Sequence, residues 1–263
     1  ADLLTYECDG VTHGRTRPAL VVLPATTEEV AEVVRLAKAA GRPIVPRGSG
    51  TGLSGGARPV PGSVVVGLSR MRRILQVNLE DAWIRVQPGV LNLDVTRAVA
   101  GAGLYYAPDP SSQSICSIGG NVAENAGGAH CLKYGFTANH VLGARVVLDD
   151  GRVVDLGGPA LDAPGHDLLA VLVGSEGTLG VITRAWLRIT PLCEARRFLS
   201  FRFPNIAAGL RAISEVMRRG LKPAVVRLYD PLDTLVGVSG GTGPKGAIAE
   251  AANGLFERAR GVL

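Results

Sequence analysis

The sequence predicts a mixed fold of strands and helices in two parts, and three observations predict it. Residues 20–47 read as a strand, a helix and a second strand. Two antiparallel hairpins follow, around residues 74–87 and 141–155. After Pro191 the composition changes to fewer glycine motifs and more Arg and Phe, and a new strand–helix–strand pattern begins. The 263 residues are 46% hydrophobic and 19% charged, enough for one large domain or two modest ones, each with a buried core. The 35 glycines are about twice the usual share and sit in short clusters, as loop positions around a ligand would.

Taken in order, Leu20-Val21-Val22-Leu23 is a short apolar strand. Thr26-Thr27-Glu28-Glu29 places a hydroxyl at a helix cap and a carboxylate three residues on, a capping box. The helix it opens carries Val30, Val33, Val34 and Ala37 on one face, Gly41 closes it, and Pro43-Ile44-Val45 leads into the next strand. Val64-Val65-Val66 runs apolar without alternation, like a buried strand. Ile74–Val77 and Ile84–Gln87 form a hairpin closed by Pro88-Gly89, and residues 91–102 are helical. Asp150-Gly151 turns the second hairpin, 167–173 is a short apolar helix, and Ala185, Leu187 and Ile189 alternate as a strand. Beyond Pro191, Phe198–Phe203 and Ala224–Tyr229 alternate as strands about a helix over 206–219, which places a domain boundary between 192 and 193. Residues 256–263 stop within a helical pattern, the expected mark of a fragment.

Three stretches carry the chemistry. The first is Pro46-Arg47-Gly48-Ser49-Gly50-Thr51-Gly52-Leu53-Ser54-Gly55-Gly56, with five glycines in nine residues. Glycines admit positive φ and close approach of a ligand, and successive amides converge into an anion nest. Gly50, Gly52 and Gly55 satisfy G-x-G-x-x-G, but a dinucleotide fingerprint needs a helix opening on it. Pro59 and Pro61 follow instead, so a loop that wraps phosphate without a helix dipole is the better reading, beside a plain surface turn. The second stretch runs from Pro108-Asp109-Pro110-Ser111-Ser112 through Ser117-Ile118-Gly119-Gly120-Asn121 to Asn125-Ala126-Gly127-Gly128. The third is Gly174-Ser175-Glu176-Gly177-Thr178-Leu179-Gly180-Val181-Ile182. Paired glycines at both ends of 119–128 exceed what helix capping needs and suit a flat ligand lying against the backbone.

Bulk properties exclude several classes. A net charge of +5 suits an anionic ligand, but 5% aromatics and no Lys/Arg run argue against nucleic acid. Cys8, Cys116, Cys131 and Cys193 show no metal or disulfide spacing, His13, His140 and His166 have no partners at metal spacing, and no metal site is predicted. No stretch approaches the ~20 apolar residues of a membrane span, nor does the N-terminus read as a signal peptide. A reducing, cytoplasmic location, or one peripheral to a membrane, is the expectation.

Together, in order and at their separations, the three stretches resemble the FAD-binding domain of the vanillyl-alcohol-oxidase/p-cresol-methylhydroxylase superfamily. Glu124-Asn125-Ala126-Gly127-Gly128-Ala129-His130-Cys131-Leu132-Lys133-Tyr134-Gly135, with Thr5–Gly10, narrows the resemblance to the FAD-linked glycolate oxidase subunit and D-lactate dehydrogenase family over residues 5–191. The resemblance implies an α+β fold of two subdomains with extended FAD between them, followed by the start of a cap domain. It implies pyrophosphate at residues 46–56, the flavin along 108–128 with Tyr134 and Gly135, and adenine at 174–182. Thr51 stands where some members tether the flavin through His, so non-covalent FAD is implied. So is oxidation of a small 2-hydroxy acid, with electrons passed to an iron–sulfur subunit or quinone. Arg227 is the candidate for the substrate carboxylate and His130 for a group at the flavin ring, beside a structural role for each. In the family the base, and in some members a metal, come from later cap sequence. Pro223–Asp230 departs from the glycolate oxidase pattern toward alkyldihydroxyacetone-phosphate synthases, leaving such an enzyme, or a flavin subunit without turnover of its own, as alternatives.

Overall fold

A ladder of parallel strands and a ladder of antiparallel ones share one helix. The computed structural model describes residues 3–11, 14–159, 165–230 and 233; His13 and the helical pattern of residues 256–263 lie outside them. The chain divides into two units, Ala1–Arg196 and Arg197–Leu263.

In the first unit, β1 (Leu20–Val22), α1 (Thr27–Ala39) and β2 (Ile44–Arg47) precede β3 (Val64–Gly67), which lies between β1 and β2 and parallel to both. The predicted cap of α1 forms with a shift: Thr26 Oγ1 accepts from the Glu29 amide at 3.1 Å, while the Glu29 carboxylate reaches the Ala25 amide at 2.7 Å, one residue earlier than a capping box would. The chain continues through β4 (Ile74–Asn78), β5 (Trp83–Val86), α2 (Asn92–Val99) and β6 (Leu104–Tyr105). Next come α3 (Ile118–Glu124), α4 (Cys131–Tyr134), β7 (Val141–Val147) and β8 (Val153–Gly157). The unit ends with α5 (Leu168–Leu172), β9 (Val181–Arg188) and β10 (Thr190–Pro191), which pairs with β6. The large antiparallel sheet has the order β4-β5-β9-β7-β8, so both predicted hairpins form and β9 closes the gap between them.

Two cores hold this arrangement. Ile84, Val86, Ala144, Val146, Ala185 and Leu187 point from one face of the antiparallel sheet onto Val95 and Val99 of α2, Ile118 and Val122 of α3 and Leu172 of α5. The apolar stripe of α1, with Val30, Ala31 and Val34, packs on Val66, Leu68 and Met71 from the parallel side and on Val147 and Val181 from the antiparallel side. The helix at the centre of the strand–helix–strand unit is therefore packed against both sheets.

In the second unit α6 (Ile206–Arg218) is capped by Asn205, whose Oδ1 accepts from the Ala208 amide at 2.9 Å. The strands expected at 198–203 and 224–229 do not form. Alternation selects a face, but a strand also needs a ladder, and neither segment finds a paired neighbour among the described residues; Phe198 and Phe201 are 89% and 72% exposed.

Candidate functional site

No helix opens on the first glycine loop. It leaves β2 at Arg47 and turns through Gly50 and Gly55, both at positive φ, before reaching β3, so the structural context of a nicotinamide fingerprint is absent. Arg47 organises the loop from behind. Its buried guanidinium donates from Nη1 to the carbonyls of Cys8 (2.8 Å) and Ala57 (3.2 Å), and from Nη2 to that of Thr5 (3.1 Å). Tyr6 lies under it at 5.5 Å, and burial pulls its pKa below the usual arginine value. A side chain at Gly50 would strike this guanidinium, while the Gly52 carbonyl accepts from the Gly10 amide at 2.9 Å. Residues 5–10 and the loop are thus one structure.

The three predicted stretches, far apart in sequence, converge. Gly48 lies against Ser117, and Ser54 Oγ donates to Glu124 at 2.8 Å beside Gly52. Gly56 faces Glu176, and Gly177 at φ +80° lies against the Pro46 ring. The Gly174 and Glu176 amides donate to the carbonyls of Val122 (3.0 Å) and Ala123 (2.9 Å), docking the third stretch on the end of α3. A recess of about 280 Å³ joins Pro46 of the first loop to Gly177, Thr178, Gly180 and Val181 of the third, with Lys38 and Arg42 at its wall.

Within this floor the predicted residues divide by what they expose. Ile118, Val181 and Ile182 bury their side chains in the cores, leaving only their backbones for a ligand. Gly119 lies against Pro88, and Gly120 sits on the same turn of α3. Ser117 and Asn121 are each 3% exposed. Ser117 Oγ, turned toward Gly48, and Ser175 Oγ are buried without a hydrogen-bond partner among the described residues. Buried hydroxyls without partners beside glycine backbone fit an acceptor-rich ligand. Pro108 gives its carbonyl to the buried Asn92 side-chain Nδ2 at 3.1 Å, Ser112 gives its own to the Ile115 and Cys116 main-chain amides at 2.8 Å each, and Asn125, at φ 50°, accepts at its Oδ1 from the Ala138 main-chain amide at 2.9 Å.

Further along the second stretch, Gly127 leaves space for the Phe136 ring and Cys131, and Gly128 lies directly on the Asp109 backbone. This contact brings His130 onto Asp109: Nδ1 lies 2.5 Å from Oδ2, and the His130 amide donates to Oδ1 at 3.3 Å. The Tyr134 ring lies 6.5 Å from that of His130 and meets Tyr105 edge-on at 6.0 Å, with Lys133 over it. Burial and the hydrogen bond to Tyr134 hold the Tyr105 phenol well above its ordinary pKa. Gly135, at φ 79°, ends α4 where a side chain would strike Asn139.

Arg227 belongs to the second unit, where its Nη1 donates to the Tyr229 hydroxyl at 3.5 Å. Among the described residues no three His, Cys, Asp or Glu side chains gather as a metal set, and no helix is long and apolar enough to cross a membrane. The four cysteines are free thiols. Sequence reasoning passed over Glu124, Asn92 and Tyr105. Each acts through a partner brought close by the fold, as Glu124 does with Ser54 from seventy residues away, and leaves no local pattern.

Comparison with known proteins bears on the family and its cofactor. A family model described as an FAD binding domain matches residues 18–157. Glycolate oxidase subunit GlcD of Escherichia coli K12 is 46% identical over 88% of this chain, and that of Bacillus subtilis 40% over 90%. A D-lactate dehydrogenase of Anaerostipes hadrus is 36% identical over 83%. The matched regions cover 46%, 50% and 46% of those proteins, so the chain spans about half the length of the curated relatives it matches. Among solved structures, an alkyldihydroxyacetonephosphate synthase superposes on 93% of this chain and 45% of its own, with a TM-score of 0.79 and 26% identity.

Proposed function

The chain belongs to the FAD binding domain family, and from that premise we propose that it is the cofactor-binding part of an FAD-dependent oxidoreductase that oxidises a small 2-hydroxy acid. FAD is the cofactor, and the observation that carries the reading is the convergence of the three loops on one another. The amides of residues 48–56 would cradle the pyrophosphate, with Ser54 and the orphaned Ser117 hydroxyl beside it. The third stretch would hold the adenosine end and residues 108–128 the isoalloxazine. Thr51 offers no nucleophilic ring nitrogen, so FAD is held without a covalent bond. When bound, the flavin accepts a hydride at N5; the protein contributes position, charge and a proton acceptor.

The substrate class rests on the GlcD and D-lactate dehydrogenase relatives at 36–46% identity. A 2-hydroxy acid needs a cation for its carboxylate and a base for its hydroxyl. Arg227 suits the first, because a guanidinium grips a carboxylate bidentately; His130 is the candidate for a group at the flavin ring, while the base would come from later cap sequence, as in the resembled family. The relatives named as subunits support a partner protein, and an iron–sulfur or quinone acceptor would take the electrons onward. Anaerobic titration of the full-length protein tests the reading. D-lactate or glycolate should bleach the flavin absorbance; protein purified without FAD, or flavin bleached by no 2-hydroxy acid, overturns it.

A further inference from the structure

Arginines gather on the face of the antiparallel sheet that is turned away from its core. Along β5, Arg85 stands between the core residues Ile84 and Val86; along β7, Arg145 stands between Ala144 and Val146; along β9, Arg184 precedes Ala185. Side chains alternate along a strand, so all three guanidiniums leave by the outer face. The register makes them neighbours. Arg145 is directly opposite Arg184, and Arg85 is opposite Trp186, two residues along β9 from Arg184. Helix α1 covers the adjoining end of this face at Val147 and Val181, and the three arginines are half-buried.

Like charges directly opposite one another destabilise a sheet, and this trio is only partly neutralised. Two carboxylates, Glu28 and Asp155, act electrostatically on Arg184. Asp155 is taken by Arg145, which donates to it from Nε and Nη2 at 2.7 and 2.6 Å. Glu28 is exposed at the start of α1. The Arg184 guanidinium has neither a hydrogen bond nor an ion pair among the described residues. Arg85 Nε is buried without a partner, and its guanidinium lies over the Trp186 ring at 5.8 Å. Burial first, then Arg145 and Arg85, hold the Arg184 pKa below the usual arginine value. Two partly desolvated cations thus stand unpaired beside a third that already holds a carboxylate.

We propose that this face is an interaction surface for an acidic segment of a partner polypeptide, whose carboxylates pair with Arg85 and Arg184 as Asp155 pairs with Arg145. The spacing favours a chain over a free ion. Strands β5, β9 and β7 are consecutive in the sheet. Neighbouring strands lie about 4.8 Å apart, so the row from Arg85 to Arg145 spans about 10 Å at the backbone. One small anion reaches one or two of these groups, whereas successive carboxylates reach along the row. Arginine and tryptophan are also the side chains that carry most of the energy at protein–protein contacts, and a guanidinium holds a carboxylate bidentately. The surface uses no residue of the three loop stretches.

The test uses the full-length, FAD-loaded protein with rhodamine-labelled hexaglutamate as the probe, read by fluorescence anisotropy, and hexaglutamine as the neutral control. The variants are Arg184→Gln, Arg85→Gln and, for the same change of charge on α6, Arg211→Gln. Hexaglutamate should bind saturably, and more weakly as NaCl rises from about 50 to 300 mM. Arg184→Gln and Arg85→Gln should each weaken it by about 10-fold or more, and Arg211→Gln by less than about twofold. Thermal unfolding without the probe is the second readout. Relieved of an unpaired charge, Arg184→Gln should unfold roughly 1–4 °C above the wild type. No binding of hexaglutamate, or equal weakening in all the variants, overturns the inference. Displacement of the peptide by inorganic phosphate at equal concentration assigns the cluster to a small ion and overturns it too. An Arg184→Gln protein that unfolds below the wild-type temperature shows that the cation serves the fold, and overturns the inference whatever the binding. Flavin reduction enters neither readout, so the 2-hydroxy acid reading stands or falls separately.

Discussion

Replacing Arg47 with methionine keeps most of the buried stem and removes the guanidinium that ties residues 5–8 to the glycine loop. Three carbonyls, of Thr5, Cys8 and Ala57, lose donors at 2.8–3.2 Å. A hydrogen bond to a charged group contributes about 1.5–3 kcal/mol, and a buried acceptor left unpaired costs about 1–3 kcal/mol. Against this, the variant no longer buries a charge, and that burial is unfavourable enough to depress the guanidinium pKa. Taking the losses as partly offset, we expect a net destabilisation of about 2–4 kcal/mol, a fall in Tm of roughly 5–15 °C for a unit of this size. Lysine should rescue little, because one ammonium cannot span three carbonyls that a planar fork reaches together. Thermal unfolding of the two variants, with and without added FAD, checks this. A Tm for Arg47→Met within about 2 °C of wild type would refute the claim that this side chain holds the loop.

Two further outcomes follow from the same structure. His140 is buried, with Nε2 against the Tyr134 carbonyl at 2.8 Å, and burial first, then Arg188, lowers its pKa despite that bond. The unfolded chain therefore takes up this proton before the folded one, so stability should fall as pH drops below the ordinary histidine value of about 6.5. Urea midpoints at neutral and mildly acidic pH should converge more closely in His140→Gln than in wild type; an unchanged gap would remove His140 from the account. Gly177→Ala puts a Cβ at φ +80° and 3.2 Å from the Pro46 ring, between the first and third loops. It should cost about 1–3 kcal/mol of stability and weaken FAD retention, measured by flavin released on gel filtration, whereas full retention would show that the loops give way freely.

What the sequence made legible followed from local chemistry. Thr26 and Glu29 announced α1, Asp150-Gly151 announced the β7–β8 turn, and Pro59 with Pro61 ruled out a helix after the glycine loop. Each is a constraint acting within a few residues. The resemblance carried by the three stretches supplied the cofactor, and the FAD binding domain match agrees with it. Less legible was what the loops do to each other. Nothing near Ser54 signals Glu124, and Arg47, read as a candidate cofactor contact, spends its donors on the carbonyls of residues 5, 8 and 57. Phe198–Phe203 misled in the opposite sense: alternation there is as regular as in any strand, yet pairing depends on a neighbour that local pattern does not encode. The paired glycines at 127–128 drew notice as ligand contacts. Their packing shows them making room for Asp109, Phe136 and Cys131.

The tie between residues 5–10 and the glycine loop also makes the beginning of the chain a reporter of the cofactor. Binding that favours one loop conformation must, by linkage, favour the Arg47 contacts that share it and so hold residues 5–8 in place. Protease susceptibility in this segment should then fall as FAD is added, at a site some forty residues before the glycine loop proposed to hold the pyrophosphate. Conversely, a tag fused close to Thr5, or an antibody raised against residues 5–10, would compete with flavin without touching it. On this linkage, flavin content should track how firmly residues 5–10 are held against the loop.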